Sequence, residues 1–160
     1  MITIKPLQHS HCVRLAEIIS KDEKLHRELS PSKEMNDTNA DEFFKYIKEW
    51  EKKTISACYT ILNDDIPIGT ISISFIDLEN KSAKCGYWIE SASWGKVYAT
   101  KAFALAVNEA KNMGLKLLTC SILKTNKASI ALWKRQGAYF KENDDRVFPY
   151  LELDSDINNK

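Results

Sequence analysis

Two stretches of this chain carry residue types whose spacing could do chemistry. The first, Ser91-Ala92-Ser93-Trp94-Gly95-Lys96-Val97-Tyr98-Ala99-Thr100, stands where an alternating strand pattern gives way to a helical one. A helix that begins straight after a strand leaves its first N–H groups without internal partners. Its dipole adds positive potential at the same end, so the turn can hold a phosphate. Gly95 lets the backbone approach a ligand closely, and Lys96 adds charge. The same pattern also fits an ordinary crossover. The second stretch runs from Thr125 to Ala138, where Asn126 and Ser129 open a helix and Arg135-Gln136-Gly137 close it.

The elements that must position these stretches follow from periodicity. Cys85, Tyr87 and Ile89 fall on one face of a strand, Gly86 and Trp88 on the other. Ala99, Ala102, Phe103, Ala106, Val107 and Ala110 then recur at helical spacing until Met113-Gly114 stops them. Upstream, Ile2, Ile4 and Leu7 mark a short strand halted at Pro6. A helix follows with a stripe of Cys12, Leu15, Ile18 and Ile19. Lys21 to Asp37 is polar and broken by Pro31, and Arg27 to Ser32 reads as loop. Asn39 with Glu42 three residues on marks a second helix start, with Phe43, Phe44, Ile47 and Trp50 as its apolar face. Thr54 to Leu62, Ile66 to Ile76 and Ala83 to Ile89 read as three antiparallel strands. Leu115 to Leu123 reads as one buried strand. Gly137 to Lys141 and Val147 to Leu153 form a last hairpin across Asn143-Asp144-Asp145, and the tail from Asp154 to Lys160 as frayed. The order β-α-α-β-β-β-α-β-α-β-β describes an α+β layered fold, a mixed and mostly antiparallel sheet with helices on both faces, in one domain over residues 1–160.

Together the two stretches resemble the GCN5-related N-acetyltransferase (GNAT) superfamily, most closely its RimJ/RimL-like branch. Gly86-Tyr87-Trp88-Ile89 and Trp94 to Thr100 match its strand and turn, and Asn126-x-x-Ser129-Ile130 with Arg135-x-Gly137 match its next helix. The match covers about the C-terminal half of the chain. It implies the same element order and an acetyl-CoA donor. The strands equivalent to Ala83–Ile89 and Leu115–Leu123 should splay apart, with the pantetheine between them and bonded near Trp88 and Ile89. The pyrophosphate should lie on Trp94, Gly95, Lys96, Val97, Tyr98, Ala99 and Thr100, with Asn126 and Arg135 on the next helix also touching the cofactor. The first two helices and their loop should wall the acceptor.

The implied reaction is direct attack of an amine on the thioester in a ternary complex. An alkylamine of pKa roughly 10.4 is protonated at pH 7, so freeing its lone pair costs about 4–5 kcal/mol and a base helps. The thiolate leaves with a pKa of about 8.5, so an acid contributes only about 2 kcal/mol. Many relatives place a tyrosine acid where Trp133 stands; the RimJ/RimL-like branch has a serine at Ser129 instead. Ser129 is therefore the candidate for the thiol, or simply a polar residue in a first helical turn. Glu90 is the candidate base, or a solvated carboxylate at a strand end. A backbone N–H at the end of the Cys85–Ile89 strand is the oxyanion donor. The chain departs from the family at Val97, where Gly is usual. A Val with positive φ would cost roughly 1–2 kcal/mol, so residue 97 is expected at negative φ, with the N–H groups of Gly95, Tyr98 and Ala99 still reaching phosphate. It departs again at Ala138, where Phe is usual; Tyr139 is expected to supply the bulk.

Composition bounds the partners. At 160 residues, 44% hydrophobic and 28% charged, the chain has room for one core. A net charge of +1 argues against a nucleic-acid binder acting through a basic surface. No run is apolar enough to span a bilayer and the N-terminus lacks a secretory pattern, so a cytoplasmic protein is expected. Cys12, Cys58, Cys85 and Cys120 lack C-x-x-C pairing and read as reduced thiols, and no metal site is expected. Glu142, Asp144 and Asp145 could rim a cationic acceptor, or form a solvated turn. Two functions remain: acetyl transfer to a small-molecule amine or a protein N-terminus, or an acyl-CoA-binding or interaction module without turnover. Monomer and homodimer are both open.

Overall fold

The computed structural model describes residues 1–30, 35 and 37–154. In chain order the elements are β1 (Ile2–Pro6), α1 (His9–Lys21), α2 (Glu23–Leu29), α3 (Ala40–Thr54), β2 (Ala57–Asn63), β3 (Ile66–Asp77) and β4 (Ser82–Ile89). A single 3₁₀ turn at Ser91–Ser93 leads to α4 (Tyr98–Asn112). Then come β5 (Leu117–Thr119), β6 (Ile122–Leu123), α5 (Lys127–Arg135), β7 (Tyr139–Glu142) and β8 (Arg146–Glu152).

One sheet joins all the strands in the order β1-β2-β3-β4-β5-β8-β6, with β7 paired to β8. Only β4 and β5 run parallel; every other pair is antiparallel. Strand alternation divides the core. Ile61, Ile71, Ile73, Cys85 and Ile89 face α4 and α5, where Phe103 and Trp133 meet edge to face at 4.8 Å. On the opposite face Cys58 and Trp88 pack with α1 and α3 through Cys12, Leu15, Phe43 and Trp50. The expected mixed, mostly antiparallel sheet between helical layers is what forms.

Four local expectations are corrected. Arg27, Glu28 and Leu29, expected as the start of a loop running to Ser32, are the last turn of helix α2. Asp22 accepts the Leu25 N–H at 3.1 Å as N-cap, and Leu25 is buried. Pro31 and Ser32 lie outside the described residues, as does the tail from 155 onward. The strand expected from Thr54 starts at Ala57, because α3 continues to Thr54 and turns at Ile55 in the left-handed region, φ 55°. The strand expected at 115–123 is two short ones. Cys120 and Ser121 leave the ladder, and the Arg146 guanidinium donates to the Ser121 carbonyl at 3.3 Å and hydroxyl at 3.0 Å. Finally, Tyr139 does not supply core bulk. It is exposed and stacks on Tyr150 at 5.2 Å, while Phe140, on the other face of β7, packs against the core.

Candidate active site

The site begins where pairing fails. β4 and β5 are joined only from Ser82↔Leu117 to Lys84↔Thr119. Beyond this the two strands part, and a cavity of about 840 Å³ fills the fork. That volume suits a whole ligand. Among the described residues, Arg27, Lys96, Lys127, Arg135 and Arg146 line it against one carboxylate, Glu28. A chain of net charge +1 has thus gathered positive charge in one place, where an anionic ligand gains most.

At one end lies the turn into α4. Gly95 takes φ +79°, and Val97 takes φ −81°, ψ 13° as N-cap. The expected negative φ at Val97 is therefore met, and the left-handed residue of this turn is Gly95. The first backbone bond of the helix runs from the Lys101 N–H to the Val97 carbonyl. The N–H groups of Tyr98, Ala99 and Thr100 precede it and have no partner within the helix. Arg135 donates to the Thr100 hydroxyl at 3.4 Å, tying α5 to this turn. Asn126 caps α5, its Oδ1 accepting the Ser129 N–H at 3.2 Å; its amide nitrogen is the group that can donate to a ligand.

Along β4 the carbonyl of Ile89 accepts the indole N–H of Trp94 at 2.8 Å. The neighbouring Glu90 N–H donates the other way, to the Ile68 carbonyl of β3. Since peptide directions alternate along a strand, the Ile89 N–H is turned toward the fork. Ser129 is buried and lines the same cavity. Facing it is Tyr87. Burial pushes the Tyr87 phenol above its ordinary value of 10.0, and hydrogen bonding with the Ser129 side chain offsets part of this.

The cavity thus brings together Trp88, Ile89, Trp94, Gly95, Lys96, Ala99, Thr100, Asn126, Ser129 and Arg135 of the expected site. Val97, Tyr98 and Glu90 are not in its lining. Val97 is exposed, and the Lys96 ammonium sits 5.8 Å from the Tyr98 ring centre. Glu90 is neither solvated nor free. Arg14 donates to its Oε1 at 2.5 Å and the Ser93 hydroxyl to its Oε2 at 2.8 Å. Asp22 makes a parallel clamp, accepting the Ser91 N–H and hydroxyl, each at 2.7 Å. Burial by itself would raise the Asp22 carboxyl; the bonds from Ser91 and Leu25 outweigh it and hold it below 3.8. These two carboxylates fix the turn between β4 and α4. The acidic hairpin is solvated: Glu142 pairs with Lys124 at 2.9 Å, and neither it nor Asp144 or Asp145 lines the cavity.

Sequence reasoning missed Tyr87 as a functional group, reading it only as an inward strand residue. It also missed Arg27 and Glu28, which reach the cavity from α2. The Asp22 cap was the available signal for that helix.

The class these features define is that of the acyl-CoA-dependent N-acetyltransferases. A family model described as an acetyltransferase (GNAT) domain matches residues 2–139, and the chain belongs to this family. Among solved structures it is similar in fold to RimL, a ribosomal L7/L12 alpha-N-protein acetyltransferase in complex with coenzyme A. The TM-score is 0.82 at 17% identity, over 97% of this chain and 96% of that one. A probable acetyltransferase matches at TM-score 0.79 and 25% identity, covering 95% and 93%. The spermidine N-acetyltransferase of Vibrio cholerae, in complex with coenzyme A and spermine, matches at TM-score 0.79 and 13% identity, covering 95% of each chain. No curated protein matches the sequence itself.

Proposed function

We propose that this protein transfers the acetyl group of acetyl-CoA to a primary amine by direct attack within the β4/β5 fork. The observation that carries this reading is the fork cavity, with unpartnered helix N–H groups at one end and two hydroxyls at the other. The turn from Gly95 to Thr100, with Lys96, Arg135 and the Asn126 amide, holds the pyrophosphate. The Ile89 N–H donates to the carbonyl oxygen as it gains charge. The amine attacks the carbonyl carbon, the C–S bond breaks, and the Tyr87–Ser129 pair gives the thiolate its proton. The ammonium loses two protons in all: one leaves to solvent before attack, and the second, shed as the amide forms, restores the Tyr87–Ser129 pair. Glu90, with both oxygens engaged, positions the turn rather than accepting this proton. The acceptor is a small-molecule amine or a protein N-terminus. Four free thiols support a reducing, cytoplasmic setting.

Calorimetric titration with acetyl-CoA, followed by thiol release with a panel of amines, tests the reading. Micromolar binding and amine-dependent release are expected. Absence of binding would overturn it.

A further inference from the structure

A second cleft opens on the other face of the sheet, beneath α3. Its origin is a cross-strand row of small residues. Cys58 pairs with Ser72, and Ser72 with Gly86, so three adjacent strands present a thiol, a hydroxyl and no side chain side by side. A Cβ built on Gly86 meets nothing within 4 Å. The space left over is a cleft of about 210 Å³, walled by Tyr46 and Trp50 of α3 and by Trp88 of β4, with the Thr70 hydroxyl beside Ser72 on its floor.

Three observations say what fits there. The volume is below that of a whole ligand site, so the cleft takes one group of a larger molecule. Among the described residues its lining carries no charged side chain. The Glu51 carboxylate behind Cys58 already accepts the Cys58 N–H at 2.7 Å and pairs with Lys48 at 3.1 Å, so a cation buried there would meet aromatic faces but no free counter-charge. Third, Gly86, Tyr87 and Trp88 line both this cleft and the fork cavity. The two spaces therefore share a wall, the edge of β4 that has lost its partner. An acceptor whose amine reaches the thioester across that edge has this cleft for the group next to it.

We infer that the cleft binds an uncharged apolar flank, an aryl or branched alkyl group, of the acceptor, so that the preferred acceptors are apolar primary amines rather than polyamines. This rests on the acetyl-transfer reading above.

The test uses phenethylamine as the apolar probe and spermidine as the polycationic one, on the wild type and Ser72→Leu. Ser72 is on the floor of this cleft and does not line the fork cavity, so leucine there fills the cleft alone. Ser72→Val, smaller and suited to a strand, serves if leucine lowers stability. Trp50 and Trp88 flank the cleft, so tryptophan fluorescence reads its occupation. The expected result is saturable quenching by phenethylamine, weakened tenfold or more in Ser72→Leu, with acetyl-CoA affinity by calorimetry within twofold of wild type. Thiol release should follow the same order, with phenethylamine ahead of spermidine. Equal phenethylamine affinity in both proteins, or spermidine the better acceptor, would overturn the inference. So would quenching without thiol release, because the cleft would then not serve an acceptor. If acetyl-CoA itself fails to bind, the acetyl-transfer reading falls, and this inference with it.

Discussion

A side chain on Gly69 would place its Cβ 2.0 Å from the carbonyl oxygen of Trp88. Gly69 pairs with Ile89 in the β3/β4 ladder, so its missing side chain lets the end of β4 lean onto β3. The Ile89 N–H that faces the fork belongs to the residue paired with Gly69. The close approach of the two strands depends on an atom that is not there.

Gly69→Ala should therefore disturb both stability and activity. The obstacle is backbone and cannot rotate away, so a cost of about 2 kcal/mol is expected, lowering Tm by roughly 4–8 °C. The fall in kcat/KM for acetyl-CoA, measured well below the lowered Tm, should exceed tenfold. A variant with lowered Tm but full activity would show that the lean of β4 has no part in orienting the donor.

The turn into α4 separates two substitutions. Gly95 needs its positive φ, so Gly95→Ala should cost about 1–2 kcal/mol and weaken acetyl-CoA binding roughly 5- to 30-fold. Val97 already has a conformation open to any residue, so Val97→Gly should change affinity by less than about twofold. Calorimetry on both variants checks the pair; a large gain from Val97→Gly would mean that the valine obstructs the phosphate.

Tyr87→Phe removes the phenol while keeping the ring that packs in the core. A loss of about 2 kcal/mol, or some 30-fold in kcat, is expected, with the KM for acetyl-CoA little changed. Because burial first, offset in part by Ser129, holds the phenol protonated beyond pH 10, this group should produce no alkaline fall in kcat below that pH. A pH profile that breaks at 8 and flattens in Tyr87→Phe would contradict the assignment.

The buried thiols set the alkaline limit of stability. Burial, opposed by Lys48, pushes Cys12 up to about 11, and burial with the Glu51 carboxylate pushes Cys58 up to about 12, both from 9.0. Above pH 9 the unfolded chain gives up these protons and the folded one keeps them. The stabilisation is thus whole below pH 9 and is lost as pH rises through 11 and 12. Urea midpoints should be flat to about pH 9 in this respect and fall beyond it, and Cys58→Ala should soften that fall. A thiol reagent at pH 8 should label Cys58 and Cys85 only as fast as the protein unfolds.

The sequence by itself determined whatever depends on neighbours along the chain. Asn39 caps the helix it was expected to cap, Asn126 stands at the helix start expected there, and the Gly95–Thr100 turn stands where strand periodicity gives way to helix. These are encoded by a few residues each, through hydrogen bonds that reach three positions and periods of two and 3.6. Tertiary structure decided what depends on register and distance. The hydrogen bonding of Glu90 turned on Arg14, 76 residues away, and the anchoring of α2 on Ser91, 69 residues from Asp22. The fork opens because β6 keeps the register of β5 against β8 but no longer pairs with β4. An apolar run reads alike whether its strand is paired on one side or two, because burial sets the pattern and the partner does not enter it. For the same reason Tyr87 could be read only as an inward strand residue, and Ser129 as a thiol candidate only through the family resemblance, until the sheet brought them face to face.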